Sequence, residues 1–299
     1  MSDNPSVRLD GLVKATAAGG RIRALAAYTT GIAETARQSH QTAPLATAAL
    51  GKALTGGLLL ASTLMKEKGR LTIRIVGGGP LGGIIVDAGA DGFVRGYVGR
   101  PDLYLSQGDK DIVDVGLAVG HEGFMYVTHD REIGHPYTGV VQLVSGELGE
   151  DFTHYLATSE QIPAAVSLGI FINRDGTVAS AGGLLVQLLP DAGDEIAWRL
   201  EQTIKGLPGF SELMARCASP EDVVHQALEG FQVDAITHHQ VGFRCHCSQE
   251  RVIAAIASLG EQEIRSMIQE DGKAEVRCHF CGHQYHVSRQ ELTALIEAS

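Results

Sequence analysis

The sequence predicts an α+β protein, because three observations divide it into parts with different sequence patterns. Strand-like runs with a period of two dominate residues 1–190, and helical runs interrupt them without a regular βαβ rhythm. Residues 191–243 carry helical periodicity and no strand signal, which indicates a helical linker. Two close pairs of cysteines then mark a small C-terminal domain over residues 244–299. We therefore expect a mixed sheet-and-helix N-terminal domain, a helical linker and a small third domain.

Composition excludes several classes of protein. The 299 residues include 24 Lys and Arg against 35 Asp and Glu, a formal net charge of −11, which argues against a nucleic-acid partner. The polar N-terminus carries no secretory signal, and no run of about 18 uncharged apolar residues indicates a membrane span. A cytoplasmic location is the default expectation. In a reducing compartment, five cysteines indicate metal or redox chemistry rather than a disulfide framework.

The N-terminal domain is expected to contain one long buried helix. Thr42 and Pro44 predict the start of that helix, since proline is favoured in the first turn. The apolar stretch ends near Met65 and contains Lys52, so it indicates a core helix rather than a membrane span.

Short apolar runs predict most of the remaining elements of this domain. Residues 71–75 alternate between apolar and polar, which is the period of a half-buried strand. Asp91-Gly92 marks a hairpin turn within residues 84–98. A helix is expected to start after Ser145, with this residue as its cap. Further strands are predicted at Val113–Val119, Phe124–Thr128 and Val140–Val144, and as a hairpin of Val166–Ile172 with Val178–Leu188.

The linker is predicted to consist of short helices. Asp194 is a candidate cap for the first helix, and Gly206 and Pro208 interrupt it. Cys217 is interpreted as a small buried residue of this linker rather than a redox group. Shorter helices are expected at Ser211–Cys217 and Glu221–Phe231.

The C-terminal domain carries the clearest chemical signal. One histidine separates Cys245 from Cys247, and a C-x-x-C turn with Gly282 behind it follows residues 248–277. Zinc prefers tetrahedral sulfur and nitrogen ligands, and a C-x-x-C knuckle presents two thiolates from one turn. A domain this small is expected to need a bound metal ion that cross-links its chain. We therefore predict one zinc ion held by the thiolates of Cys245, Cys247, Cys278 and Cys281.

Four nearby histidines are rival ligands, so a site of three cysteines and one histidine stays open. Four sulfurs are preferred, because both cysteine pairs are complete. The histidines are then expected to be solvated or to lie behind the ligands. The rivals are His246, His279, His283 and His286.

The C-x-C spacing suggests that the zinc site is removable. Two extended residues span about 6.6–7.2 Å between Cα atoms, whereas a disulfide requires about 4.4–6.8 Å. A disulfide across this spacing is therefore bent, strained and reducible. Zinc thiolates are also targets for peroxide. Structural zinc contributes about 10–16 kcal/mol to small modules, against about 5–15 kcal/mol for the stability of a whole domain, so losing the ion should unfold this one.

Two classes of function compete at this point. One is a redox switch, and the other is a structural zinc module in a binding protein, such as a nucleic-acid binder. Residues 244–299 hold six Lys and Arg against eight Asp and Glu, which argues against a phosphate-binding face. A thioredoxin-type enzyme is disfavoured because no βαβ pattern precedes the C-x-x-C turn. We expect no catalytic residues.

The same motifs carry a resemblance to a known family. Together they resemble the redox-regulated heat-shock holdase chaperones of bacteria, the 33-kilodalton heat-shock protein family, over nearly the full length. The family motif is often C-D-C, and this sequence has His246 in the middle position. The matching segments include Ala46–Gly51, Gly79–Gly83, Asp91–Tyr97, Pro136–Gly139, Leu143–Glu147, Tyr155–Gln161, Phe243–Ser248 and Cys278–Gly282.

The resemblance implies a mechanism in addition to a fold. It implies that the reduced, zinc-bound protein is inactive, and that oxidation pairs Cys245 with Cys247 and Cys278 with Cys281 as zinc is released. It further implies that the linker unfolds and that the active form is a homodimer. Such a dimer holds unfolding client proteins without ATP.

Overall fold

The computed structural model describes residues 9–66, 68–105, 114–130 and 135–297. Contacts divide the chain into two compact units, Met1–Arg244 and Cys245–Ser299, called here the N-terminal and the C-terminal unit. Strands and helices are mixed in both, so the predicted α+β class is confirmed. Residues 191–243 pack within the N-terminal unit.

The N-terminal unit contains eleven strands and seven helices among its described residues. In chain order these are β1 (Gly11–Ala17), β2 (Ile22–Tyr28), α1 (Thr30–His40), α2 (Pro44–Leu64), β3 (Arg70–Val76), β4 (Ile84–Gly89), β5 (Phe93–Val98), α3 (Val115–Val119), β6 (Phe124–Asp130), β7 (Tyr137–Gln142), α4 (Leu148–Thr158), β8 (Ala164–Ile172), β9 (Val178–Leu188), α5 (Gly193–Gly206), α6 (Phe210–Arg216), α7 (Pro220–Ala227), β10 (Val233–His239) and β11 (Gly242–Phe243).

Helix α2 is the centre of this unit, as the sequence predicts. By length and composition it is apolar enough to cross a membrane, but 89% of its most apolar window is buried inside the protein. A helix that is hydrophobic on every side belongs in a core. Glycines let neighbours approach it closely: a Cβ at Gly56 would overlap the ring of Phe152, and one at Gly57 would lie 2.7 Å from Val86.

Two sheets enclose α2. The first, sheet A, has the strand order β10-β1-β2-β9-β8, and the second, sheet B, has the order β11-β5-β4-β3-β6-β7. Leu25 of sheet A and Ile73 of sheet B belong to the same buried cluster as Leu54 of α2. The opposite face of sheet A packs against α5, α6 and α7, called here the linker helices. The inner strands β2 and β9 of sheet A are therefore mostly buried on both faces.

Two predictions about this unit are wrong. Instead of a strand over Val113–Val119, the structure has α3 from Val115, with residue 113 outside the described residues. The Asp114 side chain accepts the Leu117 N–H and so caps a helix that the β-branched valines obscured. The segment 191–243 contains β10, which pairs antiparallel with β1 at the sheet edge. Its residues are mostly exposed, so they lack the apolar alternation from which a strand is predicted.

Two helix caps also differ from expectation. Ser145 is not the N-cap of α4; the N-cap is Glu147, whose N–H donates to the Ser145 hydroxyl at 3.1 Å. Asp194 lies within the first turn of α5, where its charge favours the helix dipole without capping it. The strands β1 and β2 and the helix α1 were not predicted.

The C-terminal unit has a small core of its own. Five apolar residues are buried in it, which is few for an independent unit. Ser288 and Glu291 form a capping box: the Ser288 N–H donates to the Glu291 carboxylate at 2.8 Å, and the Glu291 N–H to the Ser288 hydroxyl at 3.4 Å. The elements are α8 (Gln249–Ala257), α9 (Glu261–Glu270), β12 (Lys273–Arg277), β13 (Gln284–Ser288) and α10 (Arg289–Glu297).

Candidate metal centre

The hairpin of β12 and β13 presents the second cysteine pair. The Cys278 N–H donates to the His283 carbonyl at 2.9 Å, and the Gly282 N–H donates to the Cys278 carbonyl at 2.8 Å. Gly282 has φ of 71°, a left-handed conformation that glycine adopts without steric cost. These bonds fold the turn tightly enough to aim both the Cys278 and the Cys281 thiols to one side.

The first cysteine pair precedes α8. The Ser248 hydroxyl accepts the Arg251 N–H at 3.3 Å and caps this helix, which fixes the direction of the chain just after Cys247. Cys245 lies two residues earlier and is half-buried, like the other three cysteines. The pair is therefore held by the start of a helix rather than by a second hairpin.

The structure brings the four predicted cysteines together. Their sulfur atoms all lie within 4.8 Å of one another. The sulfurs of Cys245 and Cys278 are 3.6 Å apart, and those of Cys247 and Cys281 are 3.4 Å apart. Four sulfurs at about 2.3 Å from a zinc ion in a tetrahedron are about 3.8 Å from one another. The four-cysteine cluster therefore has the dimensions of a zinc–thiolate site.

The pKa values of two thiols in the cluster indicate that a cation is needed to keep them ionised. Burial raises the pKa of both Cys278 and Cys281, and for Cys281 the neighbouring Cys247 thiol raises it further. Without a cation, the protonated thiol is therefore the favoured form of Cys278 and Cys281. A bound divalent cation stabilises the thiolates and reverses the direction of this shift. The donor set is the one that zinc prefers among common biological cations.

The rival histidines do not join the cluster. Among the described residues, the group of potential ligand atoms contains four sulfurs and no histidine nitrogen. The ring of His283 lies edge-on to Tyr285, with centroids 4.6 Å apart, and His286 lies 3.7 Å from the Glu275 carboxylate. The geometry favours four sulfur ligands over a site of three cysteines and one histidine.

Tyr285 is a residue of this site that the sequence did not reveal. Its hydroxyl donates to the Cys247 sulfur at 2.9 Å, and this hydrogen bond raises the pKa of Tyr285. Hydrogen bonds from behind a ligand orient it and tune its basicity. Tyr285 stands opposite Val276 across the hairpin, a placement that only the strand register specifies.

Replacing Tyr285 by Phe is expected to weaken zinc binding about tenfold, because the hydrogen bond to Cys247 is lost while the ring remains. Competition with a zinc chelator of known affinity measures the change. Tyr126→Phe, in the N-terminal unit, removes a hydroxyl far along the chain and should leave the zinc affinity unchanged. Equal affinities for Tyr285→Phe and the unmodified protein would show that this bond does not support the site.

Cys217 lies apart from the cluster. It is 2% exposed and belongs to the apolar cluster between sheet A and the linker helices, so its predicted burial is confirmed. Its carbonyl oxygen accepts a hydrogen bond from the Tyr28 hydroxyl at 3.0 Å. None of the five cysteines, all of which are described, forms a disulfide in this structure.

Comparison with known proteins gives one consistent result. Residues 10–288 match the profile of a family described as Hsp33 protein. The chain is 47% identical over 290 residues to the 33 kDa chaperonin of Lactiplantibacillus plantarum, covering 97% of this chain and 98% of the relative. The 33 kDa chaperonin of Synechocystis sp. is also 47% identical over 290 residues, covering 96% of each. The crystal structure of the 33 kDa chaperonin from Thermotoga maritima matches with a TM-score of 0.89 and 34% identity, over 97% of this chain and 98% of that one.

Proposed function

The chain belongs to the Hsp33 family, a family of chaperones, and we propose that it is a redox-regulated, ATP-independent holdase. The observation that carries the proposal is the four-cysteine cluster, whose sulfurs lie within 4.8 Å of one another. Such a cluster can hold one zinc ion when reduced and can form two disulfides when oxidised. The two states differ in what they do for the C-terminal unit.

In the reduced state, we propose that the four thiolates hold zinc and the chaperone is inactive. A bound zinc ion supplies structural cross-linking here and no catalytic chemistry. Five buried apolar residues form the core of the C-terminal unit. The binding energy of about 10–16 kcal/mol for structural zinc in small modules exceeds what so small a core supplies. The fold of the unit therefore depends on the metal.

Oxidation would convert the ligands into disulfides. Each pair of thiolates transfers two electrons to one hydrogen peroxide, forming one S–S bond and two hydroxide ions, so two peroxides complete the change. A disulfide sulfur has little affinity for zinc, and the ion leaves. Family resemblance supports the pairing of Cys245 with Cys247 and of Cys278 with Cys281. The half-buried thiols are accessible enough for a small oxidant.

We propose that the linker helices are the part of the protein that responds to oxidation and loss of zinc. They bury Phe210 and Val224 against the face of sheet A that carries Ala26. They are short, and in α5 only Leu200 is fully buried, while Trp198 is 63% exposed. A helix with as few buried contacts as α5 opens most easily. Their release would expose apolar surface on both the helices and the sheet, which suits unfolding clients.

The chain path supports a link between metal and linker. Strand β11 pairs with β5 over only two residues, Gly242 and Phe243. The Arg244 N–H then donates to the Val94 carbonyl, and the next residue is the ligand Cys245. We propose that the folded C-terminal unit limits fraying at this end of the linker. Clients as partners, a homodimer as the active form and a cytoplasmic location complete the proposal.

Treatment of the zinc-loaded protein with peroxide and mild heat tests this function. We expect zinc release, detected with a chromogenic chelator, together with suppressed aggregation of a heat-denatured client in light scattering. Reduction followed by zinc addition should reverse both effects. Retention of zinc under peroxide, or equal protection by the oxidised and reduced protein, would support a structural zinc module without a switch.

A further inference from the structure

A cleft of about 310 Å³ lies at one end of sheet A, on the face turned towards α2. Along most of this face the side chains are apolar, as at Leu12 and Leu25. Two residues after Leu12 and two residues before Leu25, the same face carries Lys14 and Arg23. The strand register places Lys14 opposite Leu25 on this shared face. The polar end of the sheet face and the last turns of α2 form the walls of the cleft.

The described lining of the cleft is cationic. Lys14, Arg23 and Lys66 line it, and none of its described lining residues is acidic. In the part of the chain that the structure describes, neither the Arg23 side chain nor the Lys66 side chain makes a hydrogen bond or an ion pair. Burial lowers the pKa of Lys14, and the positive charge of Arg23 lowers it further. Three positive groups thus converge in a protein whose formal charge is −11.

A hydroxyl in the wall of the cleft also lacks a partner. Ser62 is 9% exposed, and its Oγ is buried without a hydrogen bond among the described residues. Unsatisfied buried polar groups are rare and often mark a place where a ligand or a water binds. The ammonium of Lys14 donates to the Ser62 carbonyl at 3.2 Å, so its role as a cap of the α2 C-terminus explains this one cation. That role does not explain Arg23, Lys66 or the Ser62 hydroxyl.

We propose that this cleft binds a small phosphate-bearing anion. The guanidinium of Arg23 matches two phosphate oxygens with a planar pair of donors, and the two lysines act as point charges beside it. A tetrahedral phosphate has oxygens left to accept from the Ser62 hydroxyl, whereas a planar carboxylate has two oxygens in all. The volume lies at the small end of ligand pockets. The proposal is independent of the four-cysteine cluster, because every lining residue belongs to the N-terminal unit.

Calorimetric titration of the reduced, zinc-loaded full-length protein with inorganic pyrophosphate tests the site. We expect saturable binding of one pyrophosphate per chain, weaker binding of orthophosphate, and at least about tenfold weaker binding of succinate, a dicarboxylate. Zinc content is measured before and after, so that extraction of the metal is not mistaken for binding. Added salt should weaken the binding, because the attraction is between charges.

Charge-removing variants locate the bound anion. Arg23→Gln and Lys66→Gln are each expected to weaken pyrophosphate binding about tenfold, the effect of losing one hydrogen bond to a charged group. Arg21→Gln is the matched control, since it removes the same charge two residues earlier from an exposed side chain that does not line the cleft. Its affinity should equal that of the unmodified protein.

Three results would overturn the proposal. They are the absence of saturable binding, equal affinity for succinate and pyrophosphate, and equal weakening by Arg21→Gln and Arg23→Gln, which indicates unspecific attraction. Thermal unfolding without ligand checks that each variant is folded. Because Lys66 is exposed, its replacement cannot disturb the core, so Lys66→Gln decides the question if Arg23→Gln fails to fold.

Discussion

Replacing Cys278 by Ser is expected to abolish zinc binding and to unfold the C-terminal unit while the N-terminal unit stays folded. Three thiolates and a hydroxyl do not reproduce the set of four sulfur ligands. Without zinc, the described part of the unit has a core of only five buried apolar residues to stabilise it. Losing about 10–16 kcal/mol of metal binding equals or exceeds the stability of most domains, about 5–15 kcal/mol. The C-terminal unit is therefore expected to unfold, because the lost free energy of metal binding is as large as its free energy of unfolding.

Zinc content by atomic absorption and the unfolding of each unit by calorimetry measure this effect. Cys217→Ser is the control, because it makes the same chemical change at a buried cysteine of the N-terminal unit. That variant should keep its zinc and its response to peroxide. A Cys278→Ser protein that retains one equivalent of zinc and an unchanged C-terminal transition would contradict the assignment of the ligands.

Replacing Phe210 by Ala is expected to release the linker helices from sheet A without oxidation. Phe210 is 1% exposed, and its ring lies so close to Gly182 that a Cβ there would be 2.8 Å away. Deleting a buried phenylalanine side chain costs about 3–5 kcal/mol. Phe210 is one of seven buried apolar residues of the linker helices, so the loss should fall mainly on their packing against sheet A. The variant is then expected to protect a client while reduced and zinc-bound.

A second phenylalanine gives the matched control. Phe152 of α4 is also 1% exposed, but it packs against α2 in the central core. Phe152→Ala should lower the unfolding temperature by a similar amount without conferring protection at temperatures where it stays folded. Hydrogen exchange of residues 193–227 reports release of the helices directly. Equal protection by both variants would mean that general destabilisation, rather than the linker, exposes the client-binding surface.

The candidate metal site was more predictable than the fold around it. A C-x-x-C turn followed by glycine defines its own geometry, because the hydrogen bonds of the knuckle join residues at most five apart, such as Cys278 and His283. The capping box at Ser288 is local in the same sense. Tyr285 escaped prediction because its bond to Cys247 spans 38 residues.

The sheets show the opposite case. Strand β10 has no apolar alternation, and only its pairing with β1, more than two hundred residues earlier in the chain, makes it a strand. Helix α3 was mistaken for a strand because β-branched valines favour strands, and the cap from Asp114 supports the helix instead. The intrinsic propensity of a residue predicts its secondary structure only weakly, and tertiary contacts override it.

By itself, therefore, the sequence determined the α+β class, the central apolar helix, the four cysteines of one cluster and the family resemblance. Each of these depends on spacing or periodicity within a short stretch of chain, where covalent geometry limits the outcomes. Only the tertiary structure decided which strands are neighbours, which tyrosine supports Cys247 and where Lys14, Arg23 and Lys66 converge. These contacts join residues that are distant in sequence. Burial and packing across each whole unit select which residues make them.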